Sequence, residues 1–194
     1  MAREAIADLE RRAFGECRVD LSEDRKIRGY AVVFNSPSEN LGGFREIIKP
    51  EAVDRTLKEG IDVRALVDHD TSKIIGRMSA GTLQLRKKSK GLYSEIDPPD
   101  TTVARDILTS IDRRDVTGMS FAFRVLEDDW IEVDGFPMRE VLDMRISEVS
   151  IVTFPAYPQT DVQVAQRALQ RFEAQRQGHS IEYLRRLHRT RLAG

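Results

Sequence analysis

Three side chains in this sequence could together carry out acyl transfer: His69, Ser120 and Glu148. Histidine is scarce, with three in the chain, and His179 and His188 lie in a basic stretch beyond Pro155 and Pro158. His69 alone falls in a segment with globular patterning. It ends the apolar run in Leu66-Val67-Asp68-His69-Asp70, and a strand end feeding a loop is where side chains reach a cleft. Ser120 lies in Thr117-Gly118-Met119-Ser120-Phe121-Ala122-Phe123. Period-two alternation puts Phe121, Phe123 and Val125 on one face and Ser120, Ala122 and Arg124 on the other. With Gly118 and Ala122 as its same-face neighbours, the hydroxyl is unobstructed, as a nucleophile requires. Glu148 interrupts the apolar run of Ile146, Val149, Ile151 and Val152. A carboxylate there costs several kcal/mol unless it is paired, and a histidine ring N–H is a suitable donor.

Each of these residues also has a plainer reading. His69 between two aspartates reads as an exposed turn histidine. Ser120 reads as a small residue on a strand face, and its surroundings are not the Gly-x-Ser-x-Gly elbow of the α/β-hydrolases. Glu148 could pair with an arginine or lysine, and Asp68, Asp70 and Asp143 are rival carboxylates. Taken together the three supply a nucleophile, a base and an orienting acid. Their chain order, His then Ser then Glu, differs from that of chymotrypsin, subtilisin and the α/β-hydrolases.

The elements that must position them fit a chain of 194 residues, one domain with or without an appendage. Apolar residues make up 40% and charged residues 32%. A core of about 150 residues buries roughly two thirds of its unfolded surface, so neither a metal nor a disulfide staple is needed. The single Cys17 excludes an intrachain disulfide and a cysteine-based zinc site, and it fits a reducing, intracellular setting. No apolar run is long enough to span a membrane, and no signal-peptide core follows Met1. The net charge of −1 argues against nucleic-acid binding as the main role. Charge is uneven, however. From Ala165 to Gly194 seven arginines face two glutamates, so a mildly acidic body ends in a basic tail.

Residues 1–16 read as a polar helix or an unstructured lead. Strands are expected near 17–21, 27–34, 44–48, 63–67, 73–78, 82–86, 92–96, 119–126, 130–133, 138–142 and 146–154. Pro50 opens a helix that Gly60 ends. Pro99-Asp100-Thr101 stops the chain and caps a second helix, with Val103, Ile107, Leu108 and Ile111 on its apolar side. Asp134-Gly135 marks a hairpin turn. Many short strands at close spacing favour an antiparallel sheet or barrel over a parallel βαβ sheet.

The sequence resembles the caudovirus prohead serine proteases. The resemblance rests on Ile27-Arg28-Gly29-Tyr30-Ala31-Val32-Val33-Phe34-Asn35, Phe44-Arg45-Glu46 before the Pro50 helix, and Leu66-Val67-Asp68-His69-Asp70. It continues through Ile75-Gly76-Arg77, Gly91-Leu92, Pro99-Asp100-Thr101, Gly118-Met119-Ser120-Phe121, Glu148-Val149-Ser150 and Pro155-Ala156-Tyr157. These segments run in order from about Ile27 to Thr160; the first 16 residues and the tail lie outside them.

The resemblance implies that the catalytic His, Ser and acid fall on His69, Ser120 and Glu148. It implies an α+β fold, a small antiparallel β-barrel like that of the herpesvirus assemblins, flanked by helices. The expected organisation is a lead at 1–16, a protease domain at 17–160 and a basic helical tail at 161–194. The assemblins draw an oxyanion donor from a loop just after the third catalytic residue. Ala156 and Tyr157 are therefore the first candidates here, with Gly118 and Arg77 behind them. No metal or organic cofactor is implied. The implied substrates are a scaffolding protein, or the scaffolding extension of the major capsid protein, and the chain itself. The implied setting is the procapsid interior in a bacterial host, with a homodimer or higher oligomer possible, and without membrane or direct nucleic-acid contact. The alternative is a catalytically silent assembly factor of the same fold. The tail, with Val164, Ala168 and Phe172 at spacing four, is expected to carry packaging contacts and to be trimmed.

Overall fold

The computed structural model describes residues 9–13, 19–22, 24–154, 166, 167, 169, 170 and 172–174. Two sheets share one core. The first has six strands: β1 (Glu10–Arg12), β4 (Arg45–Ile48), β5 (Arg64–Val67), β6 (Asp70–Arg77), β9 (Gly118–Val133) and β10 (Phe136–Val152). Its path is β1-β9-β10-β5-β6, with β4 also on β10. The second sheet has the order β2-β3-β8-β7, built from β2 (Val19–Leu21), β3 (Ile27–Val33), β7 (Leu83–Lys87) and β8 (Gly91–Ile96). A 3-10 turn at Pro50–Val53 runs into α1 (Asp54–Lys58), and α2 (Thr102–Asp112) joins the sheets.

The first sheet is mixed and forms a half-barrel, which corrects the expected antiparallel barrel. Both β4 and β5 run parallel to β10. The cause is the length of β10, which has 17 residues. It receives β4 along Met138–Val141 and β5 along Glu148–Ile151, one after the other on the same edge. The 3-10 turn and α1 lie between β4 and β5 and carry the chain along that edge from one pairing segment to the next.

The hairpin of β9 and β10 replaces the four short strands expected there. Its turn has Asp134 and Gly135 at φ of 53° and 76°, the two left-handed positions of a type I′ turn. On its outer half Glu127, Asp129 and Glu132 face solvent while the backbone ladder continues beneath them, and Arg139 is buried. Bulges near Asp143 and before Glu148 set the register of the inner half.

In α2 the Thr101 hydroxyl accepts from the Ala104 N–H at 3.3 Å, satisfying a first-turn donor. Ala104, Ile107, Leu108 and Ile111 then pack into the core with Phe121, Phe123, Val149 and Ile151. Glycine is required at 91, where a Cβ would sit 2.0 Å from the Val32 carbonyl oxygen.

Residues 10–12 form a strand, where a polar helix or unstructured lead is expected from sequence. Near the other terminus, the described residues between 166 and 174 are helical. There Phe172 stacks on Trp130 with ring centroids 4.9 Å apart, and Leu169 packs against the cluster of Leu41 and Phe44. The rest of the proposed tail lies outside the described residues.

Candidate active site

The site is built on the inner ends of β9 and β10. Ser120 on β9 stands directly opposite Ser150 on β10, and Ala122 stands opposite Glu148. Facing residues of an antiparallel pair share a face, and so do residues two apart on one strand. Ser120, Ala122, Ser150 and Glu148 therefore occupy one face. Phe121, Val149 and Ile151 occupy the other, in the core.

His69 reaches this face from the neighbouring hairpin. Asp68 and His69 form the two-residue turn between β5 and β6, at φ of 49° and 60°. Both lie in the left-handed region, a type I′ arrangement that aspartate and histidine tolerate better than most residues. The turn is tied to β10 and to Thr153 just after it by four hydrogen bonds. The Asp68 N–H donates to the Ile151 carbonyl at 2.9 Å. The Asp68 carboxylate accepts from the Thr153 N–H at 2.8 Å and from the Thr153 hydroxyl at 3.0 Å. The His69 N–H donates to Ser150 Oγ at 3.1 Å.

The ring of His69 meets Glu148, with Nδ1 against Oε1. An ionised carboxylate only accepts, so Nδ1 carries the proton and Nε2 is left as the basic nitrogen. The rival carboxylates are engaged elsewhere. Asp68 holds Thr153, Asp70 accepts from the Ser72 N–H and hydroxyl, and Asp143 takes the guanidinium of Arg55. The Ser72 contacts hold the Asp70 carboxyl below its usual range.

Ser120 is 4% exposed, and its hydroxyl donates to the Arg12 carbonyl on β1 at 2.9 Å. β1 runs antiparallel to β9, with Arg12 opposite Phe121 and Glu10 opposite Phe123. Both side chains therefore enter the core side, where they join a buried cluster of charges. Arg12 Nε donates to Glu46 at 3.0 Å and its Nη2 to Glu10. Arg139 Nη1 donates to Glu10 and to Glu46, each at 3.1 Å, and its Nε donates to Asp128. Burial pushes the Glu46 carboxyl above its usual range, against the pull of Arg12 and Arg139.

Of the oxyanion candidates, Gly118 opens β9 opposite Val152, and Arg77 is bound to Asp62 through Nε at 2.7 Å. Ala156 and Tyr157 lie outside the described residues. Sequence reasoning missed Ser150 as the anchor of His69, although it sits in the Glu148-Val149-Ser150 motif. It also missed the cluster of Glu10, Arg12, Glu46 and Arg139, whose members are spread over 130 residues with no common motif.

Comparison with known proteins points one way. The chain is 29% identical over 157 residues to the prohead protease of Enterobacteria phage HK97. That stretch covers 77% of this chain and 65% of the relative. In structure it is similar to the bacteriophage T4 capsid assembly protease, gp21, with a TM-score of 0.51 at 10% identity. That match covers 75% of this chain and 97% of the T4 protein, and at such low identity it speaks to the fold alone. The profile of the caudovirus prohead serine proteases matches residues 14–175, most of the chain, and the protein belongs to that family.

Proposed function

We propose that the protein is a serine endopeptidase of capsid maturation with His69, Ser120 and Glu148 as its triad. The observation that carries this reading is the paired state of His69: its Nδ1 is held by Glu148 and its backbone by Ser150, the residue facing Ser120. Nε2 of His69 takes the proton as Ser120 Oγ attacks a peptide carbonyl carbon. Glu148 keeps the required tautomer and stabilises the imidazolium. The proton passes to the leaving amine, and a water activated by the same nitrogen hydrolyses the ester. Backbone N–H groups must meet the tetrahedral oxyanion, each worth about 10²–10³ in rate. Ala156, Tyr157 and Gly118 are the candidate donors.

The substrates on this reading are the scaffolding protein, or the scaffolding extension of the major capsid protein, and the chain itself. The work takes place inside the procapsid in the bacterial cytoplasm. Membership of the prohead serine protease family and the name of the HK97 relative support this role.

A second reading, a catalytically silent assembly factor, draws on the Ser120 hydroxyl, which bonds to Arg12 O beneath β1. Co-expression with the capsid and scaffolding proteins separates the two. The peptidase reading expects cleavage with wild type and none with Ser120→Ala or His69→Ala. Assembly that proceeds normally with all three chains, without a cut, supports the silent factor.

A further inference from the structure

A peptide presented to a serine nucleophile commonly lies as an extra strand beside it, with side chains alternately filling pockets. β1 has that form. It pairs antiparallel with the residues just after Ser120, and its Arg12 carbonyl oxygen is already 2.9 Å from Ser120 Oγ. The carbonyl carbon is one bond further, about 1.2 Å away. β1 also lies outside the stretch matched by the family, which begins at residue 14.

The pocket that receives Arg12 belongs to the matched domain. Glu46 accepts from Arg12 Nε and is fully buried. Arg139 and Asp128 complete its surroundings. Without β1 these three groups carry two negative charges against one positive, so a buried carboxylate is left short of a cation. A guanidinium or ammonium supplies it; a carboxylate would be repelled.

We propose that Glu10–Arg12 is this protein's own substrate strand, that Ser120 cuts the Arg12–Ala13 bond, and that Glu46 selects the basic side chain in front of that bond. The proposal rests on the peptidase reading above. The hydroxyl turns from Arg12 O to His69, which takes its proton as Oγ bonds to the Arg12 carbonyl carbon. The C–N bond breaks, and the Ala13 amine leaves with the proton from His69. Water then hydrolyses the Arg12 ester, giving back the Ser120 hydroxyl and a free Arg12 carboxylate. Departure of the segment ending at Arg12 uncovers Ser120 for peptides in trans. These too are extended and carry arginine or lysine at the equivalent position.

The test uses the full chain co-expressed with the capsid and scaffolding proteins, read by intact mass and N-terminal sequencing. A chain beginning at Ala13 is expected in wild type and absent in Ser120→Ala. Arg12→Lys keeps the cut, and Arg12→Glu slows it about 10-fold or more, because a second carboxylate meets Glu46. Since Arg12→Glu could loosen β1, synthetic peptides spanning residues 5–20 are also given to the processed enzyme. With arginine at position 12 they should be cleaved about 10-fold or more faster than with glutamate, as kcat/KM. Wild type that cuts capsid or scaffolding protein while Arg12–Ala13 stays whole overturns this proposal and leaves the peptidase reading standing. Wild type that cuts nothing overturns both. Appearance of the Ala13 terminus in Ser120→Ala, or equal cleavage of the arginine and glutamate peptides, overturns the self-cutting step or the role of Glu46 respectively.

Discussion

Replacing Ser150 by alanine removes one oxygen and should slow turnover about tenfold while leaving substrate affinity alone. Ser150 is fully buried, and its hydroxyl is the acceptor for the His69 backbone N–H at 3.1 Å. That bond holds the second of two consecutive left-handed residues, at φ of 60°, in a turn otherwise anchored through Asp68. A buried donor left without a partner costs about 1–3 kcal/mol. If the turn relaxes to recover that cost, the ring leaves its setting against Glu148, and each 1.4 kcal/mol lost at the transition state is about a factor of ten in rate. The expected fall in kcat is therefore about 5- to 100-fold, with KM unchanged because Ser150 points at the histidine backbone and not at the peptide. Stability should drop too, by about 3–10 °C in Tm for a domain of this size. The assay is steady-state cleavage of a fluorogenic peptide alongside thermal unfolding. A lowered Tm with unchanged kcat would refute the reasoning, since Ser150 would then be a packing residue only.

Glu148→Gln should keep the fold and retain less than a few per cent of activity, because a mis-set tautomer costs up to about 10⁴ in rate; peptide cleavage and circular dichroism check both halves. Arg139→Met leaves Glu10 and Glu46 facing each other with one cation fewer, and breaking a buried pair in this way costs about 3–5 kcal/mol. The Glu46 carboxyl is already pushed up by burial, and losing Arg139 raises it further. A raised carboxyl favours the protonated folded form, so its cost is absent below the ordinary carboxyl range of the unfolded chain, builds as pH rises above that range and is complete above the folded value. Denaturant melts should therefore show the Arg139→Met deficit shrinking between pH 7 and pH 5. Thr101→Ala should cost about 1 kcal/mol through the lost cap of α2. Gly91→Ala should cost more, because its Cβ meets the Val32 carbonyl oxygen at 2.0 Å and the backbone itself must move.

Much of this arrangement was legible in the chain because local patterning and tertiary structure agree. Thr101 and the apolar spacing of α2 located that helix, and Asp134-Gly135 located the hairpin turn. Glu148 stood out as a carboxylate in an apolar strand, and its partner is the histidine expected for it. The continuity of β9 and β10 was not legible, because Glu127, Asp128, Asp129 and Asp143 read as strand ends. In a hairpin open to solvent on one side, charged residues sit on the ladder without interrupting it. The parallel pairing of β4 and β5 was hidden for a different reason. It depends on the length of β10 and not on any property of the short strands themselves. β1 carries no apolar alternation at all. Glu10 and Arg12 are buried because they pair with each other, Glu10 also with Arg139 of β10 and Arg12 also with Glu46 of β4, partners that only the assembled fold brings together.

The account stands or falls on Ser120 being a nucleophile activated by His69. The most direct measurement treats the co-expressed, processed protein with a fluorophosphonate probe and maps the adduct by mass spectrometry. The account predicts one adduct, on Ser120, that is lost in His69→Ala and greatly slowed in Glu148→Gln. An adduct on another serine, or labelling of Ser120 that persists undiminished in His69→Ala, would contradict it.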